Sequence, residues 1–300
     1  MVILFFNEYM NYTTYQTSSR MFVDQKQDTD KLRINIDLDI FKLPCSLVSI
    51  DIQDALGEHS EEVEGNLQLN RIDKNGKIIN STKYEPKFND NDEIIQPDYE
   101  MVKTNIKDGE WCNLKGHFFV DNVPGNFHIS SHSYGPTISR LAKENLLNLN
   151  LEHRINTLTF GDEVAIKLVK KLFGQNMLKL TTTLNKTEKK NEMTAKIYQY
   201  YLKIVPTTFI NILNKTIKSY QYTYNSNKEG AFNEFPTIYF TYDISPITVE
   251  YKHYKNSFMN FFINICAILG GVFTVTGIID AIIHKSVVLL LRKAELNKLA

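Results

Sequence analysis

The sequence predicts a mainly β fold: a β-sandwich with one or two short helices, carrying a single C-terminal transmembrane helix. Three observations predict it. Apolar and polar side chains alternate along Leu32–Ile40 (LRINIDLDI), the period of a strand with one buried face. Further runs rich in Tyr, Phe, Ile, Val and Thr recur at moderate spacing, with turn signals between several of them. Finally, Phe258–Ile279 holds no ionisable side chain, and about 20 such residues cross the hydrocarbon core of a bilayer.

The elements follow in chain order. Met1–Phe6 is apolar but too short to span, and Asn7-Glu8 ends it. It lacks the basic start and longer apolar core of a secretory signal. Leu32–Ile40 and Leu47–Ile52 are the first strands, and Lys74-Asn75-Gly76 marks a turn. Residues 84–109, charged and interrupted by Pro86 and Pro97, read as an exposed loop. Gly116–Asn122 is a strand closed by the Asn122–Gly125 turn. Ser139–Leu149 reads as an amphipathic helix and Val164–Phe173 as a second short one. Tyr198–Phe209, Ser219–Tyr224 and Thr237–Tyr242 complete the strands, and Asp243 is expected to order the turn into Ser245-Pro246.

Charge and composition exclude several classes. Lys plus Arg and Asp plus Glu each number 34, and 43% of residues are apolar. Intrinsic disorder needs few apolar residues and a large net charge. A mean hydropathy of −0.27 leaves no room for many spans. Phosphate binding wants a basic surface, so the sequence predicts no nucleic-acid partner. The neutrality is an average. Lys285, Arg292, Lys293 and Lys298 face only Glu295 in the last twenty residues, leaving 30 basic and 33 acidic groups before them. The segments are 1–8, a short apolar start; 9–255, the β-sandwich; 256–284, the membrane helix; and 285–300, a basic tail. The bias of basic residues places that tail in the cytosol.

Walker, GxGxxG, GxSxG, HExxH and paired CxxC motifs are absent from the sequence, so it predicts no enzyme, no cofactor and no metal. His117, His128 and His132 lie close together around PGNFHISSHS. A metal reading needs all three on one face with a fourth ligand. A protonation switch fits better, because imidazole changes charge between neutral and mildly acidic pH. Asn11, Asn80, Asn185 and Asn214 head glycan acceptor sequons, which nudge the domain toward the secretory lumen. Cys45 and Cys112 are the two cysteines outside the span. They read equally as one disulfide or as two buried thiols. Asn264, Gly270 and Gly271 are the polar and small residues of the span that suit helix packing.

Four longer motifs carry a family resemblance: VPGNFHIS at Val123–Ser130, LKIVPT at Leu202–Thr207, YDISPITVE at Tyr242–Glu250 and CAILGGVFTVTGIID at Cys266–Asp280. MFVD at Met21–Asp24, Leu43-Pro-Cys45, SIDIQD at Ser49–Asp54 and LTFG at Leu158–Gly161 support them. In order from about residue 18 to the C-terminus, the chain resembles the endoplasmic reticulum vesicle transporter family. The resemblance implies a luminal β-sandwich between two spans with cytosolic termini, in a receptor cycling between endoplasmic reticulum and Golgi. It implies luminal cargo, partner subunits of the same family in a hetero-oligomer, and COPII or COPI coat contact through the tail. Arg292, Lys293 and Lys298 are the tail residues offered, although Lys298 alone is not a dilysine signal. Met1–Phe6 resembles only the last turns of the family's first span, so the sequence reads as a family chain without most of that span. Two rival readings stand beside this one: a luminal enzyme or chaperone acting on glycoproteins, and a cytosolic tail-anchored interaction domain.

Overall fold

The computed structural model describes residues 2–23, 31–54, 59–60, 63–89, 94–144, 146, 151–190, 196–231 and 235–296. The strands are β1 Gln16–Val23, β2 Leu32–Ile40, β3 Ser49–Asp54, β4 His59–Ser60, β5 Gly65–Ile72, β6 Ile78–Lys83, β7 Trp111–Val120, β8 Gly125–Ser130, β9 His153–Phe160, β10 Thr187–Lys189, β11 Lys196–Ile210, β12 Thr216–Gly230, β13 Thr237–Ile244 and β14 Ile247–Tyr254. The helices are α1 Val2–Thr13, α2 Tyr99–Lys107, α3 Gly135–Lys143, α4 Glu163–Phe173, α5 Gln175–Thr181 and α6 Phe258–Leu296. The chain divides into a large unit, Arg20–Phe209 with Thr216–Glu250, and a smaller one made of Met1–Ser19, Ile210–Lys215 and Tyr251–Ala300.

The large unit is a two-sheet sandwich. One sheet runs β1-β14-β11-β13-β8-β3-β4, with β12 also on β11, and the other runs β10-β9-β2-β7-β5-β6. Alternation explains the core. In the first sheet the register aligns Ile52, Phe127, Phe240 and Tyr200 in one row across four strands. Phe127 and Tyr200 stack on Phe240 with ring centroids 4.7 and 5.0 Å away. In the second sheet Ile34, Ile36, Leu38 and Ile40 of β2 point the same way and are fully buried. Phe118 of β7 meets Phe127 edge-on at 5.2 Å and ties the two sheets together.

Cys45 and Cys112, 67 positions apart in sequence, are joined by a disulfide with Cα atoms 4.8 Å apart. By loop-closure entropy a cross-link of that span contributes about 4 kcal/mol. Gly116 is required where β7 meets β5, because a Cβ there would lie 2.0 Å from the carbonyl oxygen of Asn66.

Three local expectations change. Residues 84–109 are not a plain exposed loop: they contain α2, whose Val102 is fully buried, and Tyr84, whose hydroxyl accepts the Ile50 N–H at 3.0 Å. The polar composition of this stretch hides a short apolar stripe. The helix expected at Ser139–Leu149 sits earlier, at Gly135–Lys143, started by a proline in its first turn; residues 145 and 147–150 lie outside the described ones. The turn after β13 is ordered by Ser245, whose Oγ accepts the Ile247 N–H at 3.2 Å, rather than by Asp243.

In the small unit, α6 is 39 residues long, about 58 Å at 1.5 Å per residue. That exceeds the roughly 30 Å hydrocarbon core. Its segment Phe258–Arg292 reaches a mean hydropathy of 2.1 over 18 residues, none of them buried. The helix continues through Lys285 and Arg292, so much of the basic tail is helical. α1 packs beside it: Asn264 Nδ2 donates to Glu8 Oε1 at 2.8 Å, and Tyr12 stacks on Phe261 at 4.6 Å.

Candidate functional site

The alternation that sends Ile50, Ile52, Phe127 and Ile129 into the core sends Asp51 and His128 to the opposite face of the first sheet. The register places these two directly across from each other on β3 and β8, with Tyr239 of β13 next in line. A 3-10 turn at His132–Tyr134 follows β8 and folds His132 back onto His128, ring centroids 5.6 Å apart. Asp51 Oδ2 lies 3.2 Å from His128 Nε2 and 3.6 Å from His132 Nδ1. Ser130 Oγ contacts the same His132 nitrogen. Asp51 is only 2% exposed and His128 only 7%, whereas the His132 side chain is 41% exposed. The cluster is therefore a buried carboxylate and imidazole with one ligand-bearing side open to solvent.

The second sheet carries a contrasting polar face. Asp39 Oδ2 accepts two bonds from Arg154, at 3.0 and 2.6 Å, while its Oδ1 accepts from Asn113 at 2.7 Å. Asn113 also donates to Asp37 and accepts from Asn70. His153 occupies the core itself. Its Nδ1–H donates to the Leu151 carbonyl at 2.8 Å, and its Nε2 accepts from the Tyr200 hydroxyl at 2.7 Å. Both ring nitrogens are thus satisfied in the neutral form, and burial pushes the pKa down to about 4.

The three histidines singled out in the sequence do not converge as a set. His128 and His132 meet, but His117 stands on β7 of the other sheet, edge-on to Phe119 at 5.6 Å. Burial, helped by the Arg33 guanidinium, holds His117 below the usual imidazole range. The third member of the cluster is Asp51, which sequence reasoning missed. Its signal was present in SIDIQD, where Asp51 alternates with core isoleucines just as His128 alternates in GNFHIS.

Among the sequons, Asn11 is exposed on α1, Asn80 is exposed on edge strand β6, and Asn214 is exposed in the turn after β11. Asn185 is half-buried, and its side-chain carbonyl accepts the Leu158 N–H at 2.9 Å. In the span, Asn264 is taken up by Glu8 of α1. A Cβ added at Gly270 or Gly271 would meet nothing within 4 Å. Gly271, Ala267, Val275 and Leu4 line a shallow apolar groove of about 330 Å³. Arg292 is exposed on α6, Lys293 lies within the same helix, and Lys298 falls outside the described residues.

A disulfide-stapled β-sandwich together with one long apolar helix defines a membrane-associated β protein. The chain belongs to the endoplasmic reticulum vesicle transporter family, whose model matches residues 62–280. The model of the Endoplasmic Reticulum-Golgi Intermediate Compartment (ERGIC) N-terminal region matches residues 1–61. Its relatives include Endoplasmic reticulum-Golgi intermediate compartment protein 1. It is 30% identical to that protein of Danio rerio over 289 residues, covering 94% of this chain and 82% of the relative. It is also 30% identical to Protein disulfide-isomerase 5-4 of Arabidopsis thaliana, over 62% of this chain but only 38% of that protein. Among solved structures, Erv41p superposes with a TM-score of 0.53 at 22% identity, covering 78% of this chain and 99% of that one. That likeness establishes the fold. Family and apolar helix together place the chain in membranes of the early secretory pathway.

Proposed function

We propose that this chain is a cargo receptor or scaffold subunit that cycles between the endoplasmic reticulum and the Golgi in coated vesicles. The observation that carries the reading is the family match, which runs from the N-terminal region to the apolar helix without a gap. On this reading the sandwich is luminal and presents its surface to cargo proteins. The apolar helix holds it in the membrane, and Arg292, Lys293 and Lys298 serve coat components. Other members of the same family are its partner subunits, packed against the open glycine face at Gly270 and Gly271. On this reading the domain binds rather than catalyses.

Two features support a luminal domain. The disulfide between Cys45 and Cys112 suits an oxidising compartment. Asn80 and Asn214 are exposed acceptor sites in an edge strand and a turn. The test is expression of the full chain in cells, followed by N-glycosidase digestion and isolation of budded vesicles. The expected result is a glycosidase-sensitive mass shift, lost stepwise in Asn80→Gln and Asn214→Gln, with the chain recovered in vesicles. An unglycosylated chain that stays out of vesicles would overturn the reading.

A further inference from the structure

We propose that Asp51, His128 and His132 form a binding site for a divalent transition-metal ion, Zn²⁺. The first argument is electrostatic. Asp51 is 2% exposed, yet neither of its oxygens accepts a hydrogen bond from any described residue. A buried carboxylate left without donors is strongly unfavourable, and buried charges are paired or coordinate metals. Nδ1 of His128 is buried without a partner as well, while its Nε2 is turned toward Asp51.

The second argument is geometric. One ligand atom from each of the three residues lies within 4.8 Å of the others. The two separations from Asp51 Oδ2, 3.2 and 3.6 Å, bracket the edge of about 3.3 Å that a tetrahedral ion with bonds of about 2.0–2.1 Å requires. Movement of His132 closes the third edge, between the two imidazoles, which starts within 4.8 Å. This residue sits in a short turn and is half exposed, so it has that freedom. Ligation displaces the Ser130 hydroxyl from His132 Nδ1.

The ligand set selects the ion. Imidazoles with one carboxylate suit zinc and other first-row divalent ions rather than calcium or magnesium, which prefer oxygen alone. The disulfide in the same unit points to an oxidising compartment, where an ion without redox chemistry is favoured. Three protein ligands leave one position for water or for a donor from another protein.

The full chain in detergent, stripped by a chelator and desalted, is titrated with Co²⁺ as the spectroscopic probe and then with Zn²⁺. The expected result is saturation at one Co²⁺ with the visible absorption of a tetrahedral site, bleached by Zn²⁺. Asp51→Asn and His132→Ala each weaken binding by more than about 100-fold, beyond the cost of losing an outer-sphere partner. His117→Gln, which removes an imidazole outside the cluster, binds as the unaltered chain does. Because His132 is half exposed, its variant keeps the fold, checked by circular dichroism, should Asp51→Asn not. No saturable cobalt absorption, or binding unchanged in His132→Ala, would overturn the proposal; so would equal weakening in His117→Gln.

Discussion

Asp39 and Asp51 are both aspartates on strands, both all but fully buried, and both on a face turned away from the sandwich core. Their surroundings differ. Asp39 receives two bonds from Arg154 and one from Asn113, so its charge is compensated where it stands. Asp51 faces two imidazole nitrogens and receives no hydrogen bond from the described residues. A satisfied buried carboxylate is part of the scaffold, and an unsatisfied one marks a place where something else binds. One sheet thus carries a structural polar face and the other a face poised for a ligand.

The largest expected effect falls on the structural side. Asp39→Ala removes three charge-assisted hydrogen bonds, two from the half-exposed Arg154 and one from the buried Asn113 amide, and is expected to cost about 3 kcal/mol, read by urea unfolding of the purified chain. A loss below about 1 kcal/mol would erase the distinction between the two faces. His153 supplies the next effect through pH. Its folded pKa is depressed to about 4 by burial, from about 6.5 when unfolded. The contribution is therefore fully present above pH 6.5 and is lost as pH falls toward 4, a total of about 3 kcal/mol. Unfolding curves between pH 7 and 4 should show that slope, and His153→Gln should flatten it.

Smaller still is the expected effect at the ligand face. In a chelator, Asp51→Asn removes an uncompensated buried charge and is expected to raise stability by about 1 kcal/mol, and a loss would contradict the account of this face. Gly116→Ala sharpens the picture from another side, since its Cβ would meet the Asn66 carbonyl at 2.0 Å. It is expected to destabilise by about 2 kcal/mol through overpacking between β5 and β7, without altering metal binding.

Much of this fold was legible in the sequence because its strands alternate cleanly. Leu32–Ile40 has the same limits in the structure as in the pattern. The apolar run from Phe258 is helical, and the family motifs fall on β8, β11, β13, β14 and α6. What escaped had weak local signals. α2 is only nine residues long and sits in charged, proline-interrupted sequence, and its stability comes from burying Val102 in a core that only the tertiary fold supplies. β11 and β12 run longer than their aromatic centres suggested, to 15 residues each. The candidate site was half legible: His128 and His132 are neighbours in sequence, whereas Asp51 joins them only through the pairing of β3 with β8. Strand register between distant segments is not written in local periodicity. His117 belonged to the same sequence cluster but to the opposite sheet, for the same reason.

The contrast between the two faces is tested most directly by the unfolding free energies of the unaltered chain and Asp51→Asn, each measured in chelator and in Zn²⁺. The account predicts that zinc stabilises the unaltered chain, that it leaves Asp51→Asn unmoved, and that in chelator the variant is the more stable of the two by about 1 kcal/mol. A variant already about 3 kcal/mol weaker in chelator, or one that zinc stabilises as much as the unaltered chain, would contradict it.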